Sequence, residues 1–273
     1  MLLPEGTPIH KVIFLFFCGQ TGHPLRFSSA VAHFCKICCV SLLLLVGVSD
    51  AYARSLTVAA ASWRGYTDDD QQGLYFRILR EALASQNIQL NVRITNWKRA
   101  KHMFYANRAD ILLADYRHDD PMRFFPQWQL DYDHSVLLYS LQPLQDLQQL
   151  KNQPVGWLLG YDFDQYLPVA VQAYEVAADA EGFNLLQHGR LQAFISYQAH
   201  QPPVFPLPLY RMEILSAQPL YPVFHNDFSG RQLARAFDQG MARLYRSGRL
   251  AELFADEQKY RHARFSEKAQ AQR

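Results

Sequence analysis

An apolar run at residues 37–48 determines how much of this chain has to fold. It follows the basic residue Lys36 and precedes a small-x-small triplet at residues 51–53, of the kind that signal peptidase accepts. This layout is typical of a secretory signal peptide, and the run is too short for a membrane-spanning helix, which needs about 20 apolar residues. We therefore predict that residues 1–53 comprise a signal peptide and its upstream segment. The mature, periplasmic chain would begin near Arg54, and a membrane anchor is the alternative.

All four cysteines lie upstream of this triplet, at Cys18, Cys35, Cys38 and Cys39. A mature chain without cysteine cannot use disulfides, thiol catalysis or Cys-ligated zinc. It must be held together by a hydrophobic core, for which the residues after position 53 suffice. The formal net charge of the whole chain is +2, which gives no indication of a nucleic-acid surface.

Strand and helix patterns alternate after residue 53, which favours an α/β fold. Strict alternation at residues 90–94 indicates a strand with one solvated face, and Asn96 is a suitable N-cap for a helix at residues 97–106. The expected strands cover residues 56–61, 90–94, 110–114, 135–140, 155–159, 175–178, 191–195 and 221–224. The expected helices begin near residues 73, 97 and 179, after residues 162 and 229, and near residue 250.

A proline-rich segment at residues 201–208 interrupts the second series of strands and helices. Its four prolines exclude regular structure, so we interpret it as the return to the first lobe. We predict a first lobe of residues 54–138 and 215–265, a second lobe of residues 139–214 and a tail of residues 266–273. The polar segment from Arg261 onward is expected to be frayed.

Motifs of the common catalytic sites are missing from the sequence. It contains no G-x-S-x-G elbow, no H-E-x-x-H helix and no Walker loop. His118, Asp119 and Asp120 could supply part of a metal site, but a solvated turn before Pro121 is the expected structure. We therefore predict no metal, no cofactor and no enzymatic activity.

An ordered set of short segments runs through nearly all of the mature chain. They lie at residues 56–59, 73–75, 96–100, 109–113, 116–117, 189–195 and 244–250. In order and spacing they resemble the family 3 periplasmic solute-binding proteins of polar amino-acid ABC importers. The resemblance implies a two-lobed type II binding protein with a ligand cleft between the lobes.

The function that this resemblance implies is capture of a small polar solute, with an amino acid as one candidate. A monomer would close around the solute and present it to the membrane permease of an ABC importer or to a sensor. The alternative is an enzyme on the same scaffold, such as a dehydratase, which would need an acid in the cleft. Asp115 and Asp162 are the acids that we place there.

Two arginines are candidates for binding a ligand carboxylate. The resemblance implies such an arginine just after the strand at residues 109–113, and both Arg117 and Arg123 lie close to that point. A guanidinium pairs bidentately with a carboxylate, which makes either residue suitable.

Aromatic side chains and a helix start are expected to complete the site. Trp63 and Tyr66 occupy the first strand-to-helix loop, where the family places an aromatic side chain over its ligand. Tyr161 and Asp162 precede an expected helix, whose free N–H groups could hold an anion. The whole candidate ligand-binding set is Trp63, Tyr66, Trp97, Asp115, Arg117, Arg123, Tyr161, Asp162 and Tyr197.

The chain departs from the family pattern where the amino-acid ligand would be held. Ser196 and Tyr197 stand where an acid usually pairs with the ligand's α-amino group, and Gln192 replaces an aspartate. Residues 118–121 replace the segment with the threonine that usually helps to hold the carboxylate. These departures leave the ligand class open.

Overall fold

A computed structural model describes residues 54–202 and 204–266. The predicted signal peptide and the predicted tail at residues 266–273, apart from residue 266, fall outside these residues, so the fold does not test those predictions. Within the described part of the chain, no helix combines the length and apolarity that a membrane span requires.

The first sheet contains six strands. They are β1 (Arg54–Ala61), β2 (Ile88–Thr95), β3 (Ile111–Tyr116), β4 (Arg123–Phe124), β5 (Asp131–Tyr132) and β11 (Pro219–His225). Their order is β2-β1-β3-β11-β4, with β5 also paired to β11. β1 is parallel to both of its neighbours, whereas β11 runs antiparallel to β3.

The second sheet has five strands in the order β10-β6-β9-β7-β8. They are β6 (Val136–Ser140), β7 (Pro154–Leu158), β8 (Gln172–Val176), β9 (Ala193–Tyr197) and β10 (Tyr210–Leu215). The chain passes between the sheets twice, at residues 133–135 and 216–218. Because β6 and β10 pair only within the second sheet, residues 136–138 and 215 lie there and not in the first lobe as expected.

Six α-helices accompany the sheets in the part of the chain that the structure describes. They are α1 (Leu74–Leu83), α2 (Trp97–Tyr105), α3 (Asp179–Gln187), α4 (Phe228–Arg246), α5 (Arg249–Phe254) and α6 (Glu257–His262). The predicted cap of α2 is confirmed, since the Asn96 side chain accepts a hydrogen bond from the backbone N–H of Arg99 at 2.9 Å. The largest core cluster lies in the first lobe, where α1, α4 and α5 pack against the sheet.

Several local predictions are wrong. No α-helix follows residue 162, where the chain makes a short 3₁₀ turn at Phe163–Tyr166. The cap of α4 is Asp227 rather than Ser229, and the single helix expected at residues 250–260 is interrupted at Ala255, which has a left-handed backbone with φ +56°. The segment after Arg261 is not frayed as far as it is described, because Phe265 is buried in the first-lobe core.

Candidate functional site

A cleft of about 1340 Å³ lies between the two sheets and is lined from both lobes. Its first-lobe wall comes from the loop after β1, from α2 and from the end of β3 with the loop that follows. Its second-lobe wall comes from the loop after β7, the start of α3 and the end of β9. Eight of the nine candidate residues line this cleft: Trp63, Trp97, Asp115, Arg117, Arg123, Tyr161, Asp162 and Tyr197.

Aromatic rings extend from one lobe to the other. The ring centroid of Trp97, at the start of α2, lies 6.4 Å from that of Tyr161, which follows β7. Tyr161 in turn makes an edge contact with Tyr197 at the end of β9, with ring centroids 5.9 Å apart. The cleft therefore presents aromatic surface from both lobes, which suits binding of a small organic molecule.

The first turns of α2 touch the second lobe directly. The ammonium of Lys98 lies 3.0 Å from the carboxylate of Glu175, and Lys101 forms an ion pair with Asp162. Gly160 packs so closely that a Cβ added there would lie 2.6 Å from the Cβ of Lys98. One side of the cleft is thus closed by contacts between the lobes.

Arg123 is neutralised inside the protein. Its side chain is 3% exposed and is ion-paired with Asp115 and with Asp120, whose Oδ2 lies 3.2 Å from the arginine Nε. The guanidinium also lies over the ring of Tyr105, 4.9 Å from its centre. Burial raises the pKa of Asp115, and the charge of Arg123 opposes that rise. The positive charge of Arg123 is therefore shared by two carboxylates of the chain.

Arg117 has neutral partners. Its guanidinium donates to the carbonyl of Pro126 and lies over the rings of Tyr221 and Phe125, at 4.6 and 5.9 Å from their centres. These contacts direct it along the first-lobe wall, although it still borders the cleft.

Asp133 forms part of the cleft floor at the first crossing between the lobes. It is 3% exposed, and its carboxylate accepts hydrogen bonds from the hydroxyl of Tyr116 at 2.7 Å and from the N–H of His134 at 2.8 Å. The hydroxyls of Tyr116 and Tyr197 are 3.2 Å apart, so the network joins both lobes. Burial raises the pKa of Asp133 to about 6.

A second polar cluster lies at the start of α3. Asp179 was expected to cap this helix, but Ala178 occupies the cap position, and the Asp179 carboxylate instead accepts a hydrogen bond from Ser196. Nδ1 of His200 lies 3.1 Å from the same carboxylate. Burial lowers the pKa of His200, but hydrogen bonding to Asp179 and its charge outweigh burial, so that the pKa is raised.

Solved structures share this arrangement of sheets. A histidine kinase sensor domain with similarity to periplasmic binding proteins matches with a TM-score of 0.57 at 15% identity, over 74% of this chain and 95% of that one. A putative L-cystine ABC transporter from Listeria monocytogenes matches with a TM-score of 0.58 at 13% identity, over 73% of this chain and 94% of that one. An ancestral arginine-binding protein bound to arginine matches with a TM-score of 0.56 at 15% identity, over 75% of this chain and 98% of that one.

The chain has the type II periplasmic binding protein fold. The predicted two-lobed α/β architecture is thereby confirmed. No protein-family model matches the chain, and no curated protein matches it significantly.

One candidate of the resemblance lies outside the cleft of this binding-protein fold. Tyr66 packs on Trp63 and Tyr75, with ring centroids 4.4 and 5.0 Å away, and the ammonium of Lys259 lies 5.6 Å from its ring centre. The prediction that Tyr66 borders the cleft is therefore wrong, because the first loop presents Trp63 to the cleft and turns Tyr66 toward the lobe.

The buried polar groups of the cleft were not predicted from the sequence. Asp133, Tyr116 and His200 were not selected, because nothing in their local sequence marks them; they meet only where the two sheets face each other. At the proposed turn before Pro121, Asp120 accepts the N–H of Met122 at 2.8 Å and pairs with Arg123. Among the described residues, no group of three His, Cys, Asp or Glu side chains is placed to hold a metal.

Proposed function

We propose that this protein is an exported solute-binding protein that captures a small polar molecule between its lobes. It would present the closed, loaded form to the permease of an ABC importer or to a membrane sensor. The observation that supports this most is the cleft itself, since one volume of about 1340 Å³ is lined by side chains of both lobes. A ligand there would contact the two walls at once.

Closure is the mechanism that this geometry supports. Among the described residues, the backbone connects the lobes at residues 133–135 and 216–218, two short crossings about which the lobes could rotate. A ligand that touches both walls stabilises the closed arrangement by its differential affinity for that state. The ion pairs of Lys98 and Lys101 with the second lobe would add to closure on the α2 side.

The named neighbours support a binding role of this kind. They include a putative L-cystine ABC transporter protein, an arginine-binding protein and a kinase sensor domain. Both classes of membrane partner in our proposal are represented among them. We also propose that the protein acts as a monomer in the periplasm and that the eight candidate residues in the cleft are among its ligand contacts.

An enzyme on the same scaffold is the weaker alternative. Asp115 and Asp162, the acids considered for proton transfer, are held in ion pairs by Arg123 and Lys101. A catalytic carboxylate has to exchange protons with a substrate, which such pairing disfavours. Asp133, whose pKa is raised, would be the group to test if turnover were observed.

A thermal-shift screen tests the proposed function. Protein expressed from the full-length sequence would be heated with separate panels of amino acids, amines, organic acids and sugars. A ligand that binds only the folded state at 100 times its Kd stabilises that state by about 2.7 kcal/mol, which raises the melting temperature by several degrees. If no compound of any panel raised it, the solute-binding proposal would be contradicted.

A further inference from the structure

The charges of the cleft point to a class of ligand different from the one that the resemblance suggests. We propose that the bound solute is a small organic amine without a carboxylate, whose ammonium group pairs with Asp133 among the aromatic rings of the cleft. This inference rests on the proposed function, because it names the ligand of the same site.

The cations that could hold a ligand carboxylate already have partners. Arg123 is buried against Asp115 and Asp120, and the guanidinium of Arg117 is engaged by the Pro126 carbonyl and by aromatic rings. Lys101 is paired across the cleft with Asp162. A ligand carboxylate would have to displace one of these contacts, and it would also approach the carboxylates beside them.

Acidic side chains outnumber basic ones along the cleft wall. The lining lysine and arginine residues are Lys101, Arg117 and Arg123. The lining acids are Asp115, Asp119, Asp133, Asp162, Asp164 and Asp179. This imbalance favours a cationic solute over an anionic one, because an unpaired ion is costly to hold in a partly desolvated cleft.

Asp133 is the acid best placed to receive an ammonium group. In the described chain, no lysine, arginine or histidine nitrogen lies within 4.0 Å of its carboxylate. Its hydrogen-bond donors, the hydroxyl of Tyr116 and the backbone N–H of His134, are neutral. The charge of the nearby His200 lowers the pKa of Asp133, but the imidazole is paired with Asp179 and not with Asp133. A buried carboxylate without a cation in direct contact is unfavourable, and a ligand cation would supply that contact.

Aromatic rings on the same cleft complete the environment of an amine. Trp97, Tyr161 and Tyr197 all border the cleft, and Tyr197 is joined through Tyr116 to the carboxylate of Asp133. Ring faces attract ammonium groups and also cover the alkyl part of the ligand. An acid beside several rings is therefore a suitable receptor for an alkylamine or arylalkylamine.

Decarboxylated pairs of compounds give the direct test. Cadaverine and lysine, agmatine and arginine, and histamine and histidine differ within each pair by one carboxyl group. We expect calorimetry with the full-length protein product to show at least one amine binding about tenfold or more tightly than its amino acid. The inference would be overturned if, in every pair that binds, the amino acid bound more tightly than its amine. It would also be overturned if no amine bound at 1 mM, roughly the weak limit of a specific site.

Failure of the amine inference can be distinguished from failure of the proposed solute-binding function. Binding of a sugar or an organic acid in the thermal screen, with no amine bound, would overturn the amine inference and leave solute capture intact. Absence of binding by every panel would contradict both.

A matched pair of variants assigns the ammonium to Asp133. Asp131 resembles Asp133, since it is also buried and also accepts hydrogen bonds from a tyrosine hydroxyl and from the next backbone N–H. It does not line the cleft. We expect Asp133→Asn to weaken amine binding about 30-fold and Asp131→Asn to change it less than about threefold.

Two controls keep this comparison decisive. Circular dichroism would verify that both variants fold, and amine binding by the unmodified protein would be measured between pH 5 and pH 7.5. Protonation of Asp133, whose pKa is raised to about 6, should weaken binding at the acidic end. Protonation of the nearby His200, whose pKa is raised by Asp179, acts in the same direction, and the comparison of the two Asn variants separates the part of Asp133. Equal effects of the two variants, or equal affinity across this pH range, would overturn the role of Asp133.

Discussion

Gly160 is the residue whose substitution should separate closure from folding. It follows β7 with φ +81°, and a Cβ added there would lie 2.6 Å from the Cβ and 2.7 Å from the Cα and the backbone nitrogen of Lys98. Lys98 belongs to the other lobe, at the start of α2. Gly160→Ala would therefore place a methyl group in the contact between the lobes, where the obstructing atoms are mostly backbone.

The expected loss of ligand affinity follows from these distances. Ordinary van der Waals contact begins at 3.4 Å, so the two segments would have to separate by roughly 0.8 Å, the difference from 2.6 Å. Overpacking of this kind costs about 1–3 kcal/mol. Because an open arrangement avoids the contact, the cost falls on closure, and we expect ligand affinity to drop about 5- to 150-fold. The left-handed backbone adds about 1 kcal/mol of strain to folding itself.

Gly189→Ala is the matched control. Gly189 also has a left-handed backbone, with φ +64°, but a Cβ there would meet nothing within 4 Å. Urea denaturation should show a similar loss of stability from backbone strain in both variants, while calorimetry with the best ligand of the thermal screen should show weaker binding only for Gly160→Ala. A folded Gly160→Ala protein with unchanged affinity would refute the inference that closure brings these lobes together.

Two further predictions concern charged groups. Lys101→Ala removes the ion pair with Asp162 across the cleft. Because that pair is partly exposed, we expect calorimetry to show at most about a fivefold loss of ligand affinity, and a smaller loss in high salt. A larger loss would mean that Lys101 contacts the ligand. Burial raises the pKa of Asp131 to about 7 and of Asp133 to about 6, so between pH 5 and 7 the native state keeps protons that the unfolded state has released. Stability should therefore fall as pH rises over this range, by about 3–4 kcal/mol. Urea denaturation of the unmodified protein and of Asp131→Asn at both pH values measures this fall, which should be smaller in the variant; equal falls would remove Asp131 from the explanation.

The elements that the sequence predicts well depend on local chemistry. The N-cap at Asn96 and the buried strand after Ala109 form where expected because neighbouring residues determine them. The helix expected after residue 162 does not form, since Pro168 disfavours helical backbone at the residue before it and the turn ends at Tyr166. Strand β10 was missed because it is an edge strand with exposed, polar positions that is held by pairing with β6 far away in sequence.

In the candidate site, too, the features set by local sequence were predicted and those set by contacts distant in sequence were not. Trp63, Trp97 and Tyr161 were found because each follows a strand or begins a helix at the cleft edge. The state of the arginines could not be predicted, because the ion pairs of Arg123 depend on where β3 and the loop before β4 place Asp115 and Asp120. Asp133 was missed because only the meeting of the two sheets buries it.

Small-angle X-ray scattering with and without ligand tests the central claim most directly. The protein would be measured alone and with the tightest-binding compound of the thermal screen at a concentration that fills the site. We expect a smaller radius of gyration with ligand, since closure would bring the two lobes together about residues 133–135 and 216–218. An unchanged scattering curve, with calorimetry on the same sample showing full occupancy, would contradict capture by closure.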